Sequence, residues 1–217
     1  MVPRKMFEDE LAELKNELIE MCKLTEVMIE NATKALITMD RELGKSIGGM
    51  DKRVDDYEMD IEKKCMRLLL KQQPVAKDFR EVSTALKMIT DIERFGDQAS
   101  DIGDLVYNMP GEKYIKELTH LTAMGELAVK MVHESVNSFI DNDEKLADTV
   151  IGTDDEMDDL FITVKNELIA LIKKDGANGD QAITLMMVAK YYERIGDHAV
   201  NVAEWTKYNE SGIHLKF

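Results

Sequence analysis

The chain has 217 residues, with 28 Lys and Arg against 43 Asp and Glu, a formal net charge of −15. That excess argues against a nucleic-acid surface, because phosphates need a basic face. Hydrophobic residues make up 44%, enough to bury a core, so the chain is not a disordered acidic tail. Only 12 Gly and 3 Pro are present, which favours long helices and short connections over a strand-rich fold. The N-terminal stretch is charged from Arg4 and lacks an apolar signal core. No run of about 18 apolar residues occurs, so no membrane insertion is expected. Cys22 and Cys65 read as two buried reduced thiols of a cytoplasmic protein. With His at only 4, a zinc site built from Cys and His is not expected.

Leu11, Leu14, Leu18, Met21, Thr25, Met28, Ala32, Ala35 and Met39 recur three and four apart, predicting a helix over roughly residues 6 to 43. Gly44, Gly48 and Gly49 then mark a break. A second helix is expected from about Asp51 to Lys71, ended at Gln73-Pro74 because the residue before Pro is pushed out of the α region. A third runs from about Ala76 to Tyr107, before Pro110-Gly111. A fourth runs from about Glu112 to Asn142, and a fifth from near Gly152 to Lys174. After a turn at Asp175–Gly179, a sixth covers about Asp180 to Tyr208.

The order of lengths suggests a duplication, and the residues support it. Glu93-Arg94-Phe95-Gly96-Asp97 returns 100 residues later as Glu193-Arg194-Ile195-Gly196-Asp197, and Asp101 matches Asn201. In the second helix of each half the offset is 103, placing Asp51 and Asp55 on Asp154 and Asp158. The expected architecture is all-α: two tandem, duplicated three-helix bundles of long antiparallel helices, each with its own core, over residues 1–110 and 111–217.

The acids are placed unusually. A helix advances about 100° per residue, so Glu93, Asp97, Asp101 and Asp104 fall within about 80° of one another, beside the apolar stripe of the third helix. Asp51, Asp55, Glu58 and Glu62 do the same on the second. If both stripes border one groove, four or more carboxylates converge. Like charges repel and partial burial adds desolvation, so protonation, Arg or Lys partners, or a metal must offset the cost. All-oxygen sets suit hard cations such as Mg²⁺ or Mn²⁺, and carboxylate pairs also bridge Fe or Zn. The candidate ligands are Asp51, Asp55, Glu93, Asp97 and Asp101, with Asp154, Asp158, Glu193, Asp197 and Asn201 in the second half. Phe161, Lys165 and Asn201 stand where the first half has Glu58, Glu62 and Asp101, so a weaker or differently occupied second site is expected. Arg94 and Arg194 are candidates for ion pairs with the acids. Gly96 and Gly196, on the core face, would let helices approach closely. His198 is placed away from the acids and is expected to be exposed and not a ligand. The abundant Met residues fall mostly on the buried stripes.

Gln73-Pro74-Val75-Ala76-Lys77-Asp78-Phe79-Arg80 followed by Asp91-Ile92-Glu93-Arg94-Phe95-Gly96-Asp97 resembles one signature of the PhoU family of phosphate-regulatory proteins. Tyr192-Glu193-Arg194-Ile195-Gly196-Asp197-His198-Ala199-Val200-Asn201-Val202-Ala203-Glu204 resembles the other. The resemblance covers nearly the whole chain. It implies a cytoplasmic helical protein at the inner face of the membrane that negatively regulates phosphate uptake and the phosphate-starvation response. The implied partners are the ATPase subunit of a phosphate ABC transporter, a sensor histidine kinase and a second copy of the chain. It also implies multinuclear metal sites on Glu93 and Asp97 and on Glu193 and Asp197, with Asp51 and Asp55, and Asp154 and Asp158, as facing pairs. Two other readings compete: a carboxylate-metal enzyme such as a phosphohydrolase, and an accessory protein of a low-affinity phosphate carrier. Against the enzyme stands the absence of Glu-x-x-His pairs of the di-iron type and of an evident nucleophile beside the acids.

Overall fold

A computed structural model describes residues 3–72 and 74–212. Gln73, expected to end the second helix and to open the first signature, lies outside the described residues, as do Met1 and Val2. Among the described residues the chain forms α1 (Pro3–Thr38), α2 (Arg41–Gln72), α3 (Ala76–Tyr107), α4 (Thr119–Asp141), α5 (Glu144–Lys174) and α6 (Gly179–Ser211), with a 3-10 turn at Gly176–Asn178 and no strand.

Four boundaries differ from expectation, each for a local reason. α1 stops earlier, because Met39 turns left-handed at φ 52°. Asp40 then caps the next helix, its Oδ1 accepting the Leu43 N–H at 3.0 Å. α2 therefore runs straight through Gly44, Gly48 and Gly49. Gly44 serves packing and not a break: a Cβ there would lie 2.7 Å from the carbonyl oxygen of Gly103, so α2 and α3 touch backbone to backbone. α4 starts at Thr119 and not near Glu112, because the connection before it is tied down as irregular chain. The Arg41 guanidinium donates to the carbonyls of Tyr107, Met109 and Gly111. The Gln181 amide donates to those of Pro110 and Lys113 and accepts the Ile115 N–H. These bonds satisfy backbone groups that a helix would otherwise have to pair. α5 begins at Glu144 and not near Gly152, because left-handed Asn142 ends α4 and Asp143 caps α5 at once.

α1, α2 and α3 pack on one another, as do α4, α5 and α6. The two groups meet through α1 against α4 and α3 against α6, so these four helices form a central layer flanked by α2 and α5. Both meeting pairs are antiparallel. Lys15 near the start of α1 reaches Ile140 near the end of α4, and Arg80 near the start of α3 reaches Asn209 near the end of α6. The two halves do not keep separate cores as expected. The buried apolar residues form one continuous cluster from Phe7 to Ala203, because the inward faces of the central four helices are shared. Tyr192 is fully buried in it, its hydroxyl paired with Thr33 Oγ1 at 2.8 Å across the α1–α6 contact. Cys22 and Cys65 are buried and unpaired, and burial raises both thiols, Cys65 to about 12. No described helix is long and apolar enough to cross a membrane.

Candidate metal clefts

Each cleft is built on a glycine. A Cβ on Gly96 would lie 3.3 Å from Asp51 Oδ1, and one on Gly196 would lie 3.3 Å from Asp154 Oδ1. The bare backbone of α3 thus seats the first acid of the α2 stripe, and α6 and α5 repeat the arrangement. These contacts bring the two stripes face to face, and the acids shift one another's protonation. Burial, then the charges of Asp97, Asp55 and Asp101, raise Asp51 to about 6. Burial and Asp97 raise Glu93 to about 7, with Glu58 and Asp55 adding to the shift and Arg94 opposing it. In the second cleft, burial followed by Asp197, Asp158 and Glu193 raise Asp154 to about 6. Asp197 is also raised, by burial and then by Glu193. Asp55 and Asp158 stand exposed at the lips.

Facing stripes are not yet a ligand cage. Among the described residues, no three His, Cys, Asp or Glu side chains are gathered closely enough to hold an ion. The cations beside the acids give a physical reason. Arg94 bonds Asp97 Oδ2 at 2.7 Å and approaches Glu93 at 3.5 Å, both on its own helix. Mutual repulsion also keeps unneutralised carboxylates apart. The donor set still fits a hard cation: oxygen-only, partly desolvated, and arranged on two rigid helices.

The clefts differ more than the sequence comparison suggested. In the first, the Thr90 hydroxyl donates to Glu58 Oε1 at 3.3 Å. In the second, Lys190 occupies the position of Thr90 and Phe161 that of Glu58. The Lys190 ammonium bonds Glu193 and lies 5.6 Å from the Phe161 ring centroid. The second cleft therefore carries its own cation. Lys190 was not singled out from the sequence; its place one turn before Glu193 was the available signal.

Asp101 and Asn201 do not simply extend the stripes. Asp101 is hydrogen-bonded to Tyr191 of α6 and is raised, mainly by burial. Asn201 Nδ2 donates to Asp91 Oδ1 of α3 at 3.0 Å. His198, expected to be exposed, is half-buried with Nδ1 2.9 Å from the same Asp91 oxygen. Position 91 thus meets 201, and 191 meets 101, a reciprocal contact about a pseudo-dyad between α3 and α6. Arg194 lies near Asp101 and Tyr191, whose charged forms it favours, so it acts across this contact.

The fold and its paired acidic clefts define a class: all-helical proteins made of two similar three-helix repeats with a carboxylate cleft in each. The PhoU domain model matches residues 18–106 and again 121–206. The chain belongs to the PhoU family. It is 35% identical over 210 residues to a phosphate-specific transport system accessory protein PhoU homolog of Clostridium acetobutylicum, covering 96% of each chain. With the homolog of Aquifex aeolicus it shares 38% over 190 residues, 88% of this chain and 86% of that one. The crystal structure of PhoU from Pseudomonas aeruginosa superposes with a TM-score of 0.90 at 30% identity, covering 95% of this chain and 100% of that one. That of the phosphate transport system regulatory protein PhoU from Streptococcus pneumoniae shares the fold, with a TM-score of 0.91 at 24% identity.

Proposed function

We propose that this chain is an accessory regulator of phosphate transport that acts by contact and not by chemistry of its own. It restrains the phosphate ABC transporter through its ATPase subunit and restrains the starvation response through a sensor histidine kinase. It does so from the cytoplasm, as a homodimer, with residues 1–110 and 111–217 as its two repeats. Family membership supports the regulatory role, and the names of its relatives support phosphate transport.

The metal role rests on one observation: in both repeats a carboxylate of one helix sits over a glycine of the next, with acids of both helices raising one another's protonation. Asp51, Asp55, Glu93, Asp97 and Asp101 would hold the first ion or ions. Asp154, Asp158, Glu193 and Asp197 would hold the second set, with Asn201 at its edge. A bound Mg, Mn, Zn or Fe ion would neutralise the facing charges and draw α2 to α3 and α5 to α6. The residues' own part is to present oxygens from rigid helices and to give up protons as the cation enters.

The test is metal analysis of protein purified without chelator, wild type beside the double variant Asp97→Ala, Asp197→Ala. The wild type should retain metal and the double variant lose it; equal content would remove the site. Affinity capture with the ATPase subunit and the kinase, at high and low phosphate, tests the regulatory part. No association in either condition would count against it. Steady hydrolysis of a phosphate ester, lost in the double variant, would favour an enzyme instead.

A further inference from the structure

α2 packs on α1 and α3 along one flank of the molecule, and α5 packs on α4 and α6 along the other. Each flanking helix keeps an outward face. On that face α2 carries Met59 and Met66, both 46% exposed. They are seven residues apart and so lie in line along the helix. The repeat offset of 103 carries them onto Ile162 and Ile169 of α5, 47% and 41% exposed. Both repeats thus hold an apolar pair in line where the core does not cover it.

The charges around the pair change sign between the repeats. Lys52 and Arg53 return on α5 as Asp155 and Glu156, Lys63 as Asn166, and Arg67 as Ala170, while Asp56 returns as Asp159. Leu70, returning as Lys173, and Asp60, returning as Thr163, run the other way. The outward face of α2 therefore has four cations against two acids, and that of α5 three acids against one cation. Glu13 and Glu17 of α1 do not reverse the sign of the α2 face, because they are engaged by Lys64, which is turned inward at 11% exposure. Asp60 pairs with Lys63 at the open surface, where such a pair holds neither side chain firmly.

α2 is antiparallel to α3, and α5 to α6, and α3 is antiparallel to α6, so α2 and α5 point in opposite directions. Two copies set side by side in one orientation therefore bring α2 of one against α5 of the other, antiparallel. We propose that this is a self-association contact, with Met59 on Ile169 and Met66 on Ile162. In that register Arg67 and Lys71, beyond Met66, come opposite Asp155 and Asp159, which precede Ile162. Asp56, before Met59, comes opposite Lys173, beyond Ile169. Parallel packing would instead set Asp56 on Asp159. Pairing α2 with α2 would join two basic faces, and α5 with α5 two acidic ones. A closed twofold dimer stops at two copies. This contact joins unlike edges and leaves one of each free, so copies add in a row. One helix on one helix is small beside stable interfaces, which bury about 1,200 Å² or more, so the row forms at high protein concentration. It needs no metal in the clefts and no transport partner.

Cysteine cross-linking on the full chain tests it, since the native Cys22 and Cys65 are buried. Met66→Cys in one chain and Ile162→Cys in a second, distinguishable by size, are mixed and treated with a short bismaleimide. They should give an unlike cross-linked pair at low salt and less of it at high salt. Either variant alone should give roughly tenfold less. Adding Arg67→Glu and Lys71→Glu to the first chain should cut the yield about tenfold. Lys23→Glu, at an exposed site on α1, should leave it unchanged. All these positions are exposed, so unchanged thermal melts will establish that the variants fold. Sedimentation velocity of the wild type should show mass growing beyond two chains as concentration rises. The absence of an unlike pair would overturn the proposal, as would a yield that survives reversal of Arg67 and Lys71. As much product from Met66→Cys alone, or from Ile162→Cys alone, would overturn it in favour of a like-with-like contact. A wild-type mass fixed at one or two chains at every concentration would also overturn it.

Discussion

Asp51 is seated on the bare backbone of Gly96, its Oδ1 3.3 Å from the point a Cβ would occupy. The other atoms that Cβ would meet are the two methyls of Val54, both at 3.4 Å, and all three are side-chain ends that can yield a little. Replacing Gly by Ala inside a helix also gains up to about 1 kcal/mol of propensity. Gly96→Ala should therefore leave urea stability within about 1 kcal/mol of wild type while displacing Asp51 and lowering metal retention. Unchanged metal content would show that Asp51 is not a ligand.

Gly103 makes the opposite case. A Cβ there would stand 2.5 Å from the carbonyl oxygen of Gly44, a backbone atom that moves only if α2 moves. Gly103→Ala should cost about 1–3 kcal/mol, the range for overpacking, read from the denaturant midpoint. A neutral result would mean that α2 and α3 can separate freely.

The buried Thr33–Tyr192 pair is asymmetric. Thr33 Oγ1 donates to the Ile29 carbonyl at 2.9 Å and so accepts from the Tyr192 hydroxyl. Tyr192→Phe removes the donor and leaves Thr33 paired, at about 0.5–1.5 kcal/mol. Thr33→Val strands the Tyr192 hydroxyl in the core, which costs more, about 1–3 kcal/mol. In a double-mutant cycle the pair should cost less than the two single changes together. Strict additivity would show that the two hydroxyls do not interact.

The clefts also give the metal-free protein a pH signature. Folded Asp51 and Asp154 titrate near 6 and Glu93 near 7, above the unfolded values of about 4. Between those limits the folded state binds more protons than the unfolded one. These groups' contribution is thus fully present below about pH 4 and lost as pH rises through 7. Chelator-treated protein should melt at lower temperature as pH rises from 5 to about 7.5, and added metal should recover more of the loss at the upper end. A flat profile would mean that the stripes repel less than their facing arrangement implies.

Lys190 should limit the second cleft. Lys190→Thr, the residue at the equivalent position 90, removes the cation bonded to Glu193. Calorimetric titration with Mn²⁺ should show tighter binding there, by roughly tenfold if one competing charge is worth about 1.4 kcal/mol. Weaker binding would make Lys190 a support of the site and not its competitor.

Much of this was legible in the sequence for one reason: helix period and repeat offset both act within a repeat. The 100- and 103-residue offsets gave the helix order, and the angular position of Glu93 and Asp97 beside the apolar stripe placed them toward Asp51 and Asp55. What stayed hidden lies between repeats or in the backbone. Gly44 reads as a breaker until the carbonyl of Gly103 is seen against it. His198 points away from Glu193, which suggested solvent, but Asp91 of the other repeat is there. Asn201 looked like a weakened ligand and is instead a donor to that same Asp91. Periodicity along one helix carries no information about which helix of a second repeat will cover its far side.

The reciprocal 91–201 and 101–191 contacts make the chain the covalent counterpart of a twofold dimer. In a dimer of identical repeats, any substitution would enter both halves at once, and Asp91 would have to face Asp101. Fusion removes that constraint. Tyr191 and Asn201 could replace one copy of each acid, and Lys190 could enter one cleft alone. The single polypeptide can therefore have a direction, which a symmetric pair of half-chains cannot.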